Sequence, residues 1–192
     1  DENYTVRYQI KDADGNVVAE SWRPAEQPSV VQFLPDAHLW QGVEDPYLYT
    51  CTAELVRRNE TVDEVTVRFG IREFYVDKEK GFFLNGKPMK LRGVSRHQDK
   101  LYQGNALTKE DHRLDADLIR EVGANTIRLA HYQHSQDFYD VCDEYGFVVW
   151  AEIPYISSQS DDPAAHENCR QQMKDLIYQN YNHACILSLI HI

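Results

Sequence analysis

The sequence predicts an antiparallel β-sandwich over residues 1–75, followed by the first half of a (β/α)8 barrel over residues 76–192. Three observations predict it. The first unit alternates apolar and polar side chains with period two and shows no helical repeat. After about residue 76, short apolar strands alternate with helical stripes, the pattern of a parallel sheet. The C-terminal end of each of these strands carries polar, chemically capable residues: Ser95-Arg96-His97, then His131, then Glu152. A barrel builds its site at that end.

In the first unit, Tyr4-Thr5-Val6-Arg7-Tyr8-Gln9-Ile10 reads as a half-buried strand. Asp12-Ala13-Asp14-Gly15-Asn16 follows as a hairpin turn, because Gly and Asn tolerate positive φ, and Val17-Val18-Ala19 resumes the strand. Residues 47–56 and 62–71 supply two more strands. These are fewer than the roughly seven of a complete sandwich, so its first strands are expected upstream of Asp1.

In the second unit, Met89 to Val94 is expected as a strand. Thr108 then caps a helix with acidic Glu110 and Asp111 in its first turn, where the helix dipole favours them. Leu114, Leu118, Ile119 and Val122 mark its apolar face, and Gly123 closes it. Thr126 to Ala130 is the next strand. Ser135 caps a second helix with the stripe Phe138, Val141, Cys142 and Tyr145, ended by Gly146. Phe147 to Ala151 is a fully apolar strand, Asn168 to Tyr181 a third helix, and Cys185 begins a fourth strand. Periodicity alone leaves a doubly wound sheet open as well. No G-x-G-x-x-G follows any strand, which weakens its dinucleotide-binding version.

With 31 acidic against 20 basic residues, the formal net charge is −11. That excludes a nucleic acid as the expected partner, since such binding depends on Lys and Arg neutralising phosphates. No stretch approaches the roughly 20 apolar residues of a membrane span, and the polar start Asp1-Glu2-Asn3 is not a signal peptide. Cys51, Cys142, Cys169 and Cys185 form no C-x-x-C pair, so neither a zinc knuckle nor a redox dithiol is expected. Cys142 and Cys169 read as small buried apolar residues.

Phe69-Gly70-Ile71-Arg72-Glu73, Phe82-Phe83-Leu84-Asn85-Gly86-Lys87-Pro88 and Leu91-Arg92-Gly93-Val94-Ser95-Arg96-His97-Gln98-Asp99 resemble glycoside hydrolase family 2. So do Gly123 to Tyr132, Phe138 to Gly146, and Trp150-Ala151-Glu152-Ile153-Pro154. The motifs run in the family's order over about residues 40–186, and among members they look most like the β-galactosidases. The resemblance implies that the sandwich is immunoglobulin-like. It also implies an exo-glycosidase of carbohydrate catabolism that hydrolyses terminal β-D-galactosides with retention. β-Glucuronidase, β-mannosidase and a non-catalytic carbohydrate-binding module are the alternatives. Carbohydrate is then the expected partner, a homo-oligomer of the full-length protein stays open, and a bacterial cytoplasm or periplasm is the expected compartment.

The family's chemistry uses two glutamates, one an acid/base and one a nucleophile, roughly 5–5.5 Å apart. Both are expected beyond Ile192, so this chain alone is expected to be inactive. Its share is the supporting shell. By resemblance, Arg128 holds the nucleophile ionised, and His131 and His97 contact the sugar. Arg92 and Glu152 are buried near the site in a charged pair or network, and Asp99 and Asn105 line the mouth. Taken singly, His97 and His131 read as structural hydrogen-bonders; the motif context reverses this. His134 reads as a polar residue at a helix start. No cofactor is required. The magnesium ligands that some relatives carry after strand three correspond to Ile156 and Ser158, so that site is not carried over. Leu187 to Ile192 is what CTGTCTCTTATACACATC, a transposon adapter end, encodes, and those residues are expected to be non-native.

Overall fold

The computed structural model describes residues 4–154 and 160–189. In the first unit, β1 (Tyr4–Lys11), β2 (Val17–Pro24), β3 (Tyr49–Arg57) and β4 (Glu60–Phe69) form one antiparallel sheet in the order β2-β1-β3-β4. The first hairpin closes as its sequence predicts. Asp12 Oδ1 accepts the backbone N–H groups of Asp14 and Asn16 at 3.0 and 2.8 Å. Tyr8, Ile10, Cys51 and Phe69 on this sheet face a groove completed by Val30, Gln32 and Leu34 of the segment between β2 and β3.

A small sheet outside the predicted elements comes next: β5 (Phe74–Asp77), β6 (Gly81–Leu84) and β7 (Lys87–Pro88), in that order. Its signal was present. Asn85 (φ 49°) and Gly86 (φ 74°) are the two-residue turn between β6 and β7, and Asn-Gly favours such a turn because both central residues need positive φ.

The second unit holds β8 (Gly93–Arg96), α1 (Lys109–Glu121), β9 (Thr126–Leu129), α2 (Gln136–Tyr145), β10 (Val148–Ala151), α3 (Pro163–Gln179) and β11 (Ile186–Leu189). The strands are parallel, in the order β11-β10-β9-β8, which is half of a barrel sheet in sequence order. Ile127, Leu129, Phe138, Val141, Cys142, Phe147, Val149, Ala151 and Leu176 make its core. Thr108 caps α1 in a reciprocal box with Asp111. The third helix starts five residues earlier than predicted, because Asp162 accepts the Ala164 N–H and Pro163 occupies the first turn. The first barrel strand starts later than predicted, at Gly93.

On the predicted apolar face of α1, Leu114, Leu118 and Val122 are exposed at 50, 53 and 73%. The buried face is His112 and Ala116, with Ile119 packed against the core. Leu118, Ile119 and Val122 line a groove with Val94 beside β8, the strand with no outer neighbour among the described residues. The apolar face is present, with Ile119 turned to the core and Leu114, Leu118 and Val122 left largely exposed among the described residues.

The two units meet at the bottom of the parallel sheet. Trp40 is fully buried and donates its indole N–H to the Asp143 carbonyl at 3.0 Å. Arg72 donates to the carbonyls of Ala184 and Ile186 at 2.9 and 3.0 Å. Gly146, left-handed at φ 77°, ends α2 so close to Gly42 that an added Cβ would lie 2.2 Å from the Gly42 backbone.

Candidate active site

Parallel strands deliver their last residues to one rim, and here that rim gathers Arg128, His131, Glu152 and His97. Glu152, 1% exposed, follows the last residue of β10. A buried carboxylate requires a charged partner, and Arg128 of β9 supplies it. Arg128 Nε donates to Glu152 Oε1 at 2.5 Å and Nη2 to Oε2 at 3.2 Å. Nη2 also lies 3.0 Å from His131 Nδ1. Arginine has only donors, so at this contact Nδ1 accepts, and the same Nδ1 lies 3.5 Å from Glu152 Oε2. The guanidinium lies over the Trp150 ring, 5.9 Å from its centroid. Arg128 Nη1 makes no hydrogen bond among the described residues. The His97 ring meets that of His131 edge-on with centroids 5.3 Å apart. Four of the residues predicted for the site therefore converge.

The fifth does not. Arg92 is exposed and precedes β8, and its carbonyl accepts the N–H groups of Asn125 and Thr126 at the start of β9. Parallel strands place their first residues at the rim opposite the site, so Arg92 cannot pair with Glu152; Arg128 takes that role. Asp99 lines the groove beside β8 with His97, and Asn105 is exposed in the turn after Gly104. Ile156 and Ser158, the positions weighed above for a magnesium site, lie outside the described residues.

Arg96, the last residue of β8, is a site residue that its motif alone does not single out. It is 6% exposed, lies 3.8 Å from the Phe138 ring centroid, and donates Nε to Asp115 at 2.8 Å. Its Nη1 reaches His134 Nδ1 and its Nη2 reaches His112 Nδ1, both at 3.0 Å. Both rings therefore accept and are neutral. Burial is the first cause that lowers each pKa, His134 to about 4, and the Arg96 charge lowers both further. His134 stands at a helix start as expected, just before the Ser135 cap of α2, and it is 4% exposed. Its signal could only have been its spacing from Arg96, which a linear sequence does not display.

At the opposite end of the strands, Asp143, His183 and Cys185 bring candidate ligand atoms within 4.8 Å. Each is already engaged: Asp143 accepts from the Cys185 N–H at 2.8 Å and pairs with His183 Nδ1 at 2.7 Å, and the Cys185 thiol donates to the Tyr139 carbonyl at 3.7 Å. This cluster closes the turn into β11.

Comparison with known proteins agrees with this architecture. Residues 1–72 match glycosyl hydrolases family 2 and residues 75–189 match the TIM barrel domain of the same family. The chain is 44% identical over 155 residues to a β-glucuronidase of Bacteroides fragilis, covering 77% of this chain and 22% of that protein. It is 37% identical to a β-galactosidase of Thermoanaerobacter pseudethanolicus, covering 82% of this chain and 21% of the relative. The crystal structure of an FMN-binding β-glucuronidase from F. prausnitzii L2-6 superposes with a TM-score of 0.95 at 54% identity, covering 98% of this chain and 29% of that one. The chain thus spans less than a third of the length of each of these relatives. With both family domains matched in order and the strand-end residues assembled on one rim, the chain belongs to glycoside hydrolase family 2.

Proposed function

We propose that the protein containing this chain is a retaining exo-β-glycosidase whose first substrate to test is a terminal β-D-glucuronide. The observation that carries the reaction class is the Arg128–Glu152–His131 network beside His97. It is a rigid set of donors at a strand-end rim, supported from beneath by a buried carboxylate. Preorganised donors stabilise charge that develops as the glycosidic bond breaks. In this reading His97 and His131 face sugar hydroxyls, and Arg128 Nη1 donates to the nucleophilic glutamate, which lies outside the chain. Glu152 fixes the orientation of Arg128 and, through it, that of His131.

The choice of sugar rests on the β-glucuronidase names among the relatives at 44 and 54% identity. The β-galactoside expected from the sequence keeps support from the 37% identical β-galactosidase. The test is hydrolysis by the full-length protein of 4-nitrophenyl β-D-glucuronide and 4-nitrophenyl β-D-galactoside. A kcat/KM at least about tenfold higher on the glucuronide, some 1.4 kcal/mol of transition-state preference, is expected. The reverse ratio returns the galactoside, and no turnover of any β-glycoside sinks the reading. Residues 1–192 alone are expected to hydrolyse neither substrate.

A further inference from the structure

His97 and His131 sit on different segments, the end of β8 and the loop after β9. Side chains that must contact one sugar need those segments fixed to each other. A closed ring of hydrogen bonds does this. The Ala130 N–H donates to the Arg96 carbonyl at 3.1 Å, Arg96 Nη1 donates to His134 Nδ1 at 3.0 Å, and His134 Nε2 donates back to the Ala130 carbonyl at 3.3 Å. Ala130 is the residue before His131, and Arg96 the residue before His97. A second tie lies beside it. The Gln98 N–H donates to the Tyr132 hydroxyl at 3.0 Å, and the Ser135 N–H donates to Gln98 Oε1 at 2.7 Å.

We propose that Arg96 and His134 are positioning residues for the glycosidase reaction, forming a clamp that sets His97 and His131 at one fixed separation for the sugar. Neither Arg96 nor His134 touches the substrate. Arg96 is held in turn by Asp115, His112 and the face of Phe138, so its guanidinium has one available orientation. His134 has the one tautomer that can bridge an arginine donor and a carbonyl acceptor. A buried ring with both nitrogens committed moves little, and the Ala130–His131 peptide it holds moves with it. Misplacement of a contacting group by about 1 Å costs on the order of 100-fold in rate, so a clamp of this kind acts on kcat more than on binding.

This inference rests on the glycosidase reading above, and the experiment separates the two. The full-length enzyme is compared with His134→Leu, which removes both bonds, and with His134→Gln, which restores a donor and an acceptor. Turnover is measured on whichever of the two 4-nitrophenyl glycosides the wild type hydrolyses. Active sites are counted by covalent trapping with the matching 2-deoxy-2-fluoroglycosyl fluoride. The expected result is a kcat per trapped site about 10- to 100-fold lower in His134→Leu, with KM within about threefold and substantial recovery in His134→Gln. An unchanged kcat per site in His134→Leu overturns the clamp, even if thermal stability falls. Should that variant not fold, Asp115→Asn loosens Arg96 from its partly exposed end. It is then expected to lower kcat per site by about 2- to 5-fold, and no change overturns the clamp. If the wild type neither hydrolyses nor is trapped, the glycosidase reading fails and the clamp falls with it.

Discussion

Arg96 and Arg128 lie at the C-terminal ends of neighbouring parallel strands, and each gathers a carboxylate and a histidine around its guanidinium. They differ in saturation. Arg96 is almost wholly enclosed, and Nε, Nη1 and Nη2 all have partners. Arg128 has a side chain 34% exposed and commits only Nε and Nη2 among the described residues. A saturated buried cation holds a structure together, whereas one with a spare donor at a rim is set up to act on something else. The same residue type at neighbouring strand ends thus sits in two environments, one saturated and one with a donor to spare among the described residues.

The largest effect that would sharpen this contrast is on activity. Glu152→Ala takes away the partner of Arg128 and, through it, the support of His131, and on the proposed reaction is expected to lower kcat/KM of the full-length protein by at least about 100-fold. Loss below tenfold in steady-state assays would break the division of labour. Arg96→Leu should lower stability as well as the kcat that the clamp supports. Removing one member of a buried ionic cluster costs about 3–5 kcal/mol, here toward the lower end because Asp115 is partly exposed. Urea unfolding reads it, and a loss below about 1 kcal/mol would mean that the cluster is replaceable by apolar packing.

A pH series probes the sealed site further. Folded His134 stays neutral down to about pH 4, while an unfolded histidine binds its proton near 6.5. Between those values the unfolded chain holds more protons, so stability falls as pH drops from about 6.5 toward 4. The contribution of His134 across the window is roughly 3 kcal/mol. His134→Gln should flatten the urea midpoint against pH over that range, and an unaltered slope would show that other groups dominate acid unfolding. The smallest effect is expected at the open site. Trp150→Leu removes the π face beside the Arg128 guanidinium while keeping apolar bulk, and should cost about 0.5–1 kcal/mol in thermal unfolding, as a cation–π contact near solvent does. A loss of several kcal/mol would mean that Arg128 depends on its surroundings as Arg96 does.

Much of this molecule is legible from local signals. The caps Thr108 and Ser135, the stop at Gly146, the Asp12–Asn16 hairpin and the apolar run before Glu152 are set by residues within a few positions of one another. Short-range sterics and hydrogen bonding act at that range. The missed Asn85-Gly86 hairpin and the Asp162-Pro163 helix start belong to the same class. Position at a strand end also made His97, Arg128, His131 and Glu152 readable as candidates, since parallel topology sends every strand's last residues to one rim.

Arg92 shows where such reading fails. A strand start displaced by a few residues moved an arginine from one rim of the sheet to the other, which no motif reveals. The partners of Arg96, at positions 112, 115 and 134, and the docking of Trp40 against Asp143 more than 100 residues away depend on how helices pack on the sheet. The sequence by itself determined the elements, their order and the chemical capacity of each strand end, because those follow from periodicity, caps and turns. Only the tertiary structure decided which arginine meets Glu152, which histidines are buried and neutral, and which face of α1 is covered. Those outcomes depend on distances between segments remote in sequence, and burial, the physical quantity that selects charge partners, exists only once the chain has packed.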